Sequence, residues 1–205
     1  MSRPRFEQLP TERQQEILRI AAAEFARGGL HGTSYNQLLA QLGLGKGSAY
    51  YYFEDKQDLF LTAVRHCYLA FFRTLGNLPL PSSVQGFWDY VDQLTLRGLN
   101  FVHDDPTSAA LLQAFARERF RIDVLSSPEL LKGMGDTYAL LIRLGQQLGA
   151  VRQDLPFELL LGSVQAVAGA FDQWFVGLGR RPAPEELLAM AKNSTDLIRG
   201  MTAPR

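Results

Sequence analysis

The sequence predicts an all-helical fold, and three observations carry that prediction. Apolar residues recur every three or four positions along most of the chain, and no stretch alternates apolar and polar residues as a half-buried strand would. Serine, aspartate, proline and glycine punctuate the periodic stretches where helices start and stop. The 205 residues, 46% of them hydrophobic, supply core for one generous domain or two small ones.

In the first periodic stretch Ile17, Leu18, Ala21, Ala22 and Phe25 share one face. Thr11 and Gln14 are spaced as a capping box opening this helix, and Gly28-Gly29 stops it. Ser34 suits the N-cap of a second helix whose period is carried by Leu38, Leu39 and Leu42, with Gly43 as its stop. The third runs from Gly45 or Lys46 to Phe53, and Asp55 caps a long fourth that GNLPLPSS ends near Leu75. Beyond that break, Ser82 or Ser83 opens a helix to about Val102, and Asp105-Pro106 opens the next. Ser127-Pro128 repeats the device for a helix reaching Leu148, closed by Gly149. Pro156 begins another, to about Gly177, and Pro182 with Pro184 introduces the last, EELLAMAKNSTDLIRGM.

Composition excludes several function classes. The single cysteine, Cys67, rules out an intramolecular disulfide framework and a multi-cysteine zinc site; it fits a reducing cytoplasm and reads as a small packing residue. The N-terminus MSRPRFEQLPTERQQ has no apolar core of a signal peptide. The longest weakly polar run, LLLGSVQAVAGAF, has 13 residues and includes Ser163 and Gln165, so no membrane span is expected and the location expected is cytoplasmic. His31, His66 and His103 stand in no metal-binding or catalytic spacing, and no nucleophile motif occurs, so no catalytic residue, metal or cofactor is predicted. Total charge, 21 basic against 21 acidic residues, argues neither for nor against nucleic acid. Residues 1–53 carry six cations against four anions, a faint basic bias.

The stretch GLGKGSAYYYF, residues 43–53, has the glycines, lysine and serine of a phosphate-binding loop. A nucleotide loop needs Lys followed directly by Ser or Thr, but Gly47 follows Lys46; a dinucleotide loop needs a third glycine where Ser48 stands. The preceding segment is a helix, not a strand, so the stretch joins two helices as in a helix-turn-helix unit. At 100° per residue from Lys46, Ala49 and Phe53 point inward while Gly47, Tyr50 and Tyr51 point outward. A lysine, a serine and two tyrosines so placed suit an anionic backbone.

The segment TSYNQLLAQLGLGKGSAYYYFEDKQDLF resembles the signature of TetR-type transcription regulators in its hydroxyl pair, apolar helix, Gly-apolar turn, Lys-Gly-Ser, and Tyr-x-x-Phe followed by Lys. The resemblance covers roughly residues 10–60. It implies an all-α protein with an N-terminal three-helix helix-turn-helix DNA-binding domain over 10–55, its recognition helix about 46–53, and a larger helical ligand-binding and dimerisation domain over 56–205. The function implied is that of a ligand-responsive regulator, a repressor released from double-stranded operator DNA by a small molecule, which the dense aromatics of the chain make hydrophobic or aromatic; the alternatives are a constitutive regulator without effector and a small helical enzyme. Carried over by position, Thr33, Ser34, Lys46, Tyr50 and Lys56 would contact phosphate, Gly47 would admit close approach, and Ser48 and Tyr51 would face base edges. Gly45 stands where the family has a capping serine, Ala49 replaces a bulkier residue and Leu39 a smaller one, the last two reading as an exchange of volume. Arg3 and Arg5, ahead of the first helix, read as a disordered tail, which as a flexible arm would reach a minor groove.

The resemblance further implies a homodimer formed through the last two helices. The sequence supplies small residues for such a seam in Gly162, Ala166, Gly169 and Ala170, with Leu187, Leu188, Ala191 and Leu197 on the final helix. Aromatic residues are dense in the middle of the chain, and a helical domain so lined can enclose an apolar effector pocket. The candidate lining is His66, Phe87, Trp88, His103, Phe115, Arg117, Tyr138, Phe171 and Trp174.

Overall fold

The computed structural model describes residues 4–118 and 128–204, and side chains for 4–116 and 137–204. Every regular element among them is a helix: α1 Pro4–Glu7, α2 Thr11–Gly32, α3 Tyr35–Gln41, α4 Lys46–Tyr52, α5 Lys56–Leu75, α6 Val84–Asp104, α7 Pro106–Glu118, α8 Pro128–Gln147, α9 Phe157–Gly177 and α10 Pro184–Thr202. The chain forms two compact units, the described parts of Met1–Phe72 with Asp105–Leu131, and of Arg73–Asp104 with Lys132–Arg205. The helices after residue 55 are thus shared between the units: α7 belongs with the N-terminal helices.

In the first unit α2 lies against α7, and Ile17, Ala21 and Phe25 of α2 are fully buried, as the period predicts. Phe25 meets Phe60 edge to face at 5.0 Å, and Phe60 meets Phe115 of α7 at 6.1 Å. Each such buried ring contributes roughly 2–3 kcal/mol. Cys67 is buried in the same unit; burial pushes its thiol up to about 11. Helical geometry in α2 breaks at Gly29, whose φ of 61° with ψ of −172° is open to glycine almost alone. The start of α2 corrects the expected capping box. Pro10 is the N-cap, Thr11 is already helical, and the Gln14 amide reaches back to donate to the carbonyls of Glu7, 3.1 Å, and Leu9, 2.8 Å.

In the second unit α6 and α10 pack together, with α9 against both. One core cluster gathers Phe87, Trp88, Val91, Ile142, Leu160 and Val164, and a second gathers Leu99, Phe175, Leu187 and Ala191. Helix starts follow the sequence closely in both units: the Ser83 hydroxyl accepts from Gly86 N at α6, the Asp105 carboxylate accepts from Ser108 N at α7 of the first unit, and Pro184 opens α10. Ser127, the expected cap of α8, lies outside the described residues. α9, at 21 residues, is long and apolar enough to cross a membrane by length and composition, and little of it is buried. The expectation of no such stretch counted only the run 159–171, whereas the helix extends beyond it at both ends.

Asp172, on α9, is half-buried, and loss of water pushes its carboxyl up to about 6. A raised folded-state value means that folding favours the protonated form, so this contribution to stability is complete below about pH 4 and is lost as pH rises through about 6. Asp172→Asn, which cannot ionise, is therefore expected to stabilise the chain at pH 7 by about 1–2 kcal/mol and to make no difference at pH 4. Urea unfolding of both proteins at the two pH values checks this; an equal gain at both would place the effect in packing instead of charge.

Candidate nucleic-acid interface

α3 ends in a turn that its sequence dictates. Gly43 takes φ of 63°, its N–H donates to the Ala40 carbonyl at 3.1 Å, and Leu44 N donates to the Leu39 carbonyl at 2.9 Å. This pair of bonds closes the last turn of α3 and reverses the chain toward α4, a path that a β-carbon at residue 43 would strain. Arg13 of α2 fastens the turn by donating to the Leu42 carbonyl at 2.6 Å. α4 then starts at an extended Gly45, which supplies no side-chain cap, and Ala49 N donates to the Gly45 carbonyl at 2.9 Å.

The faces of α4 fall as its period requires. Ala49 and Phe53 are fully buried, whereas Lys46, Gly47, Ser48, Tyr50 and Tyr51 are exposed, the two tyrosines to 51% and 48%. Large aromatic rings left half in water beside a lysine and a serine form a surface of mixed donors and stacking faces. Leu39 and Ala49, the two residues that depart in size from the family pattern, are both buried.

Other expected contacts are differently placed. Ser34 is the exposed N-cap of α3. The Thr33 side chain is turned inward: it is buried, and its hydroxyl donates to the Gly29 carbonyl at 2.7 Å. Lys56 is half-buried and donates to the Thr33 carbonyl at 3.0 Å, so in the free chain it ties the start of α5 to the start of α3. Asp55 completes that corner by accepting from Asp58 N, as its cap position predicts. Tyr35 enters the neighbourhood unforeseen. Its hydroxyl is buried without a partner, and burial, then the nearby Tyr50, Asp55 and Asp58, push it up to about 12.

The N-terminal residues are the larger departure. Arg5 does not lie in a tail: Pro4–Glu7 forms the helical turn α1, which packs on α4. Phe6 is buried with its ring 4.9 Å from that of Phe53, and the Arg5 guanidinium lies 3.8 Å over the Tyr51 ring. Arg3 lies outside the described residues.

The residues expected to line an effector pocket are divided between the two units. His66 and Phe115 stand in the first unit, where Phe115 is core. Phe87 and Trp88 meet edge to face at 5.0 Å inside one core cluster of the second unit, and Phe171 packs against the other. His103 is half-buried, Tyr138 is exposed, and Trp174 is exposed on the uncovered side of α9. The Arg117 side chain lies outside those described. A hollow of about 700 Å³ in the second unit is lined by Arg152, Asp196, Arg199, Gly200 and Met201 among others.

A glycine-reversed turn between two short helices, the second presenting cation, hydroxyl and aromatic groups to solvent, defines a helix-turn-helix DNA-binding unit. Residues 17–63 match the family of bacterial regulatory proteins known as the tetR family. The match makes this N-terminal segment a DNA-binding unit of the tetR type. No curated protein sequence matches the chain. Among solved structures the fold is similar to a tetR family transcription regulator from Shewanella sp. PV-4, with a TM-score of 0.75 at 22% identity over 94% of this chain and 99% of that one. A second is from Chloroflexus aurantiacus J-10-fl, with a TM-score of 0.70 at 22% identity over the whole of both chains. The regulator FadR from Bacillus subtilis, solved in complex with stearoyl-CoA, gives 0.63 at 16% identity over 90% of this chain and 96% of that one.

Proposed function

We propose that the chain is a ligand-responsive repressor that acts in the cytoplasm, binding a roughly palindromic operator as a homodimer. The observation that carries this reading is the outward face of α4, with Lys46, Gly47, Ser48, Tyr50 and Tyr51 exposed on a helix anchored by Ala49 and Phe53. In this reading Lys46 and Tyr50 hold phosphate, joined by Ser34, the Thr33 backbone and Lys56, while Ser48 and Tyr51 face base edges. Reading DNA falls to residues 10–55, and effector binding and pairing to residues 56–205.

Pairing is supported by α9, which stays largely uncovered although strongly apolar, and where Gly162, Ala166, Gly169 and Ala170 are all exposed. On α10 the outward residues are Leu188 and Leu197, 45% and 60% exposed, whereas Leu187 and Ala191 face the subunit's own core. The effector class is supported by similarity to a FadR that binds stearoyl-CoA, a long apolar chain on a polar carrier. A molecule preferring a conformation with mis-spaced recognition helices would weaken operator binding by shifting populations, with α5, which begins in the DNA-reading corner, as lever.

The test is binding to a duplex selected by the chain from a randomised pool, measured by fluorescence anisotropy between 50 and 200 mM salt. A linear fall of log affinity with log salt is expected, losing roughly a thousandfold or more over that range for six or more phosphate contacts. Acyl-CoA added to the complex is expected to release the duplex. Failure to select any duplex would sink the DNA-binding reading, and a complex indifferent to every apolar ligand would leave a constitutive regulator.

A further inference from the structure

The turn ahead of α2 carries Arg5, which the sequence reads as part of a tail, and its placement suits the same ligand as α4. Phe6, 3% exposed, inserts its ring beside Phe53 at 4.9 Å. Leu9 N donates to the Phe6 carbonyl, and the Gln14 amide grips the carbonyls of Glu7 and Leu9. A segment held at these points is not a free tail. It lays the Arg5 guanidinium over Tyr51, 3.8 Å from the ring centroid. Among the described residues no carboxylate forms an ion pair with Arg5, and the side chain is exposed.

An exposed guanidinium held over a ring with no carboxylate paired to it keeps N–H donors for a ligand, and its fork matches two phosphate oxygens at once. Stacking also orders the long side chain before any ligand arrives, which lessens the entropy lost on binding. We propose that Arg5 is a DNA-contacting residue, holding a backbone phosphate beside the base pairs that Tyr51 faces. This rests on the DNA-binding reading above and deepens it: α1 and α4 together form the contact surface.

The experiment uses the full chain, the duplex it selects from a randomised pool, and a duplex of unrelated sequence, at several salt concentrations. Arg5→Ala is expected to bind both duplexes roughly tenfold more weakly per copy of the chain, with the slope of log affinity against log salt smaller by about one per copy. Arg5→Met, which still covers Tyr51 but carries no charge, should lose the slope as fully; Arg5→Lys should keep it while recovering affinity only in part. Thermal melting confirms that the variants fold, as an exposed side chain leads one to expect. Wild-type affinity in Arg5→Ala overturns the inference. So does lost discrimination at one base pair with the slope unchanged, which would make Arg5 a base reader. Lys46→Ala, measured alongside, separates the two readings: if it weakens binding and Arg5→Ala does not, the α4 interface stands alone, and if the wild type binds neither duplex, both fall.

Discussion

Replacing Gly47 with leucine is expected to leave the fold intact, to raise its stability slightly, and to lower operator affinity by roughly a hundredfold or more. The two effects separate because they arise on different sides of the helix. In the free chain a β-carbon at residue 47 meets nothing within 4 Å, so the larger side chain fits without strain. Leucine also gives up less backbone entropy in a helix than glycine does, a gain of about 0.5 kcal/mol at this first-turn position. On DNA the same position lies between Lys46 and Ser48, both exposed, where α4 would approach phosphate most closely. A branched side chain there holds the backbone off and breaks its neighbours' hydrogen bonds together, each of them worth about 1.5–3 kcal/mol where one partner is charged. Melting curves and anisotropy on one preparation test this; unimpaired binding by Gly47→Leu would show that α4 does not enter the groove with this edge.

The double variant Ala166→Glu, Leu197→Glu is expected to sediment as a monomer and to bind the selected duplex between a hundredfold and ten-thousandfold more weakly than the wild type. Both residues are exposed in the single chain, so the fold tolerates the charges. At a seam between copies, four carboxylates would lose water without partners, at several kcal/mol each. The loss of DNA affinity follows from geometry alone: joined subunits present the second recognition helix at millimolar effective concentration, and a monomer forfeits that factor. Analytical ultracentrifugation decides the point, and a monomeric wild type would remove the homodimer.

How legible these features were depends on the range of the forces that set them. The starts at Pro106 and Pro184 and the stop at Gly43 are local chemistry, with φ limited by a ring or freed by a missing β-carbon, so they stand where the sequence puts them. The inward Ala49 and Phe53 follow from period alone. α1 could not be seen, because four residues carry no measurable period and the turn is held by Phe6 packing on a residue 47 positions away. The capping box failed because Pro10 takes the cap position and frees Gln14 for carbonyls upstream. Thr33 looked like a surface hydroxyl, yet the break at Gly29 leaves a carbonyl that it satisfies from inside. On α10 the sequence marked Leu187, Leu188, Ala191 and Leu197 alike as apolar, and only tertiary packing sends the first and third inward. A ring that fills a core and a ring that lines a cavity have the same composition and spacing, so the sequence does not separate the two among the aromatic candidates.

The anchored turn at Pro4–Glu7 also bears on how this protein should be handled. Any peptide fused upstream has at most about 3.6 Å of reach per residue before it arrives at Arg5. A histidine purification tag there would hang beside the exposed tyrosines of α4 and contribute its own charge to every titration, so constants measured with and without it would disagree. Tags for such measurements belong at the other end of the chain.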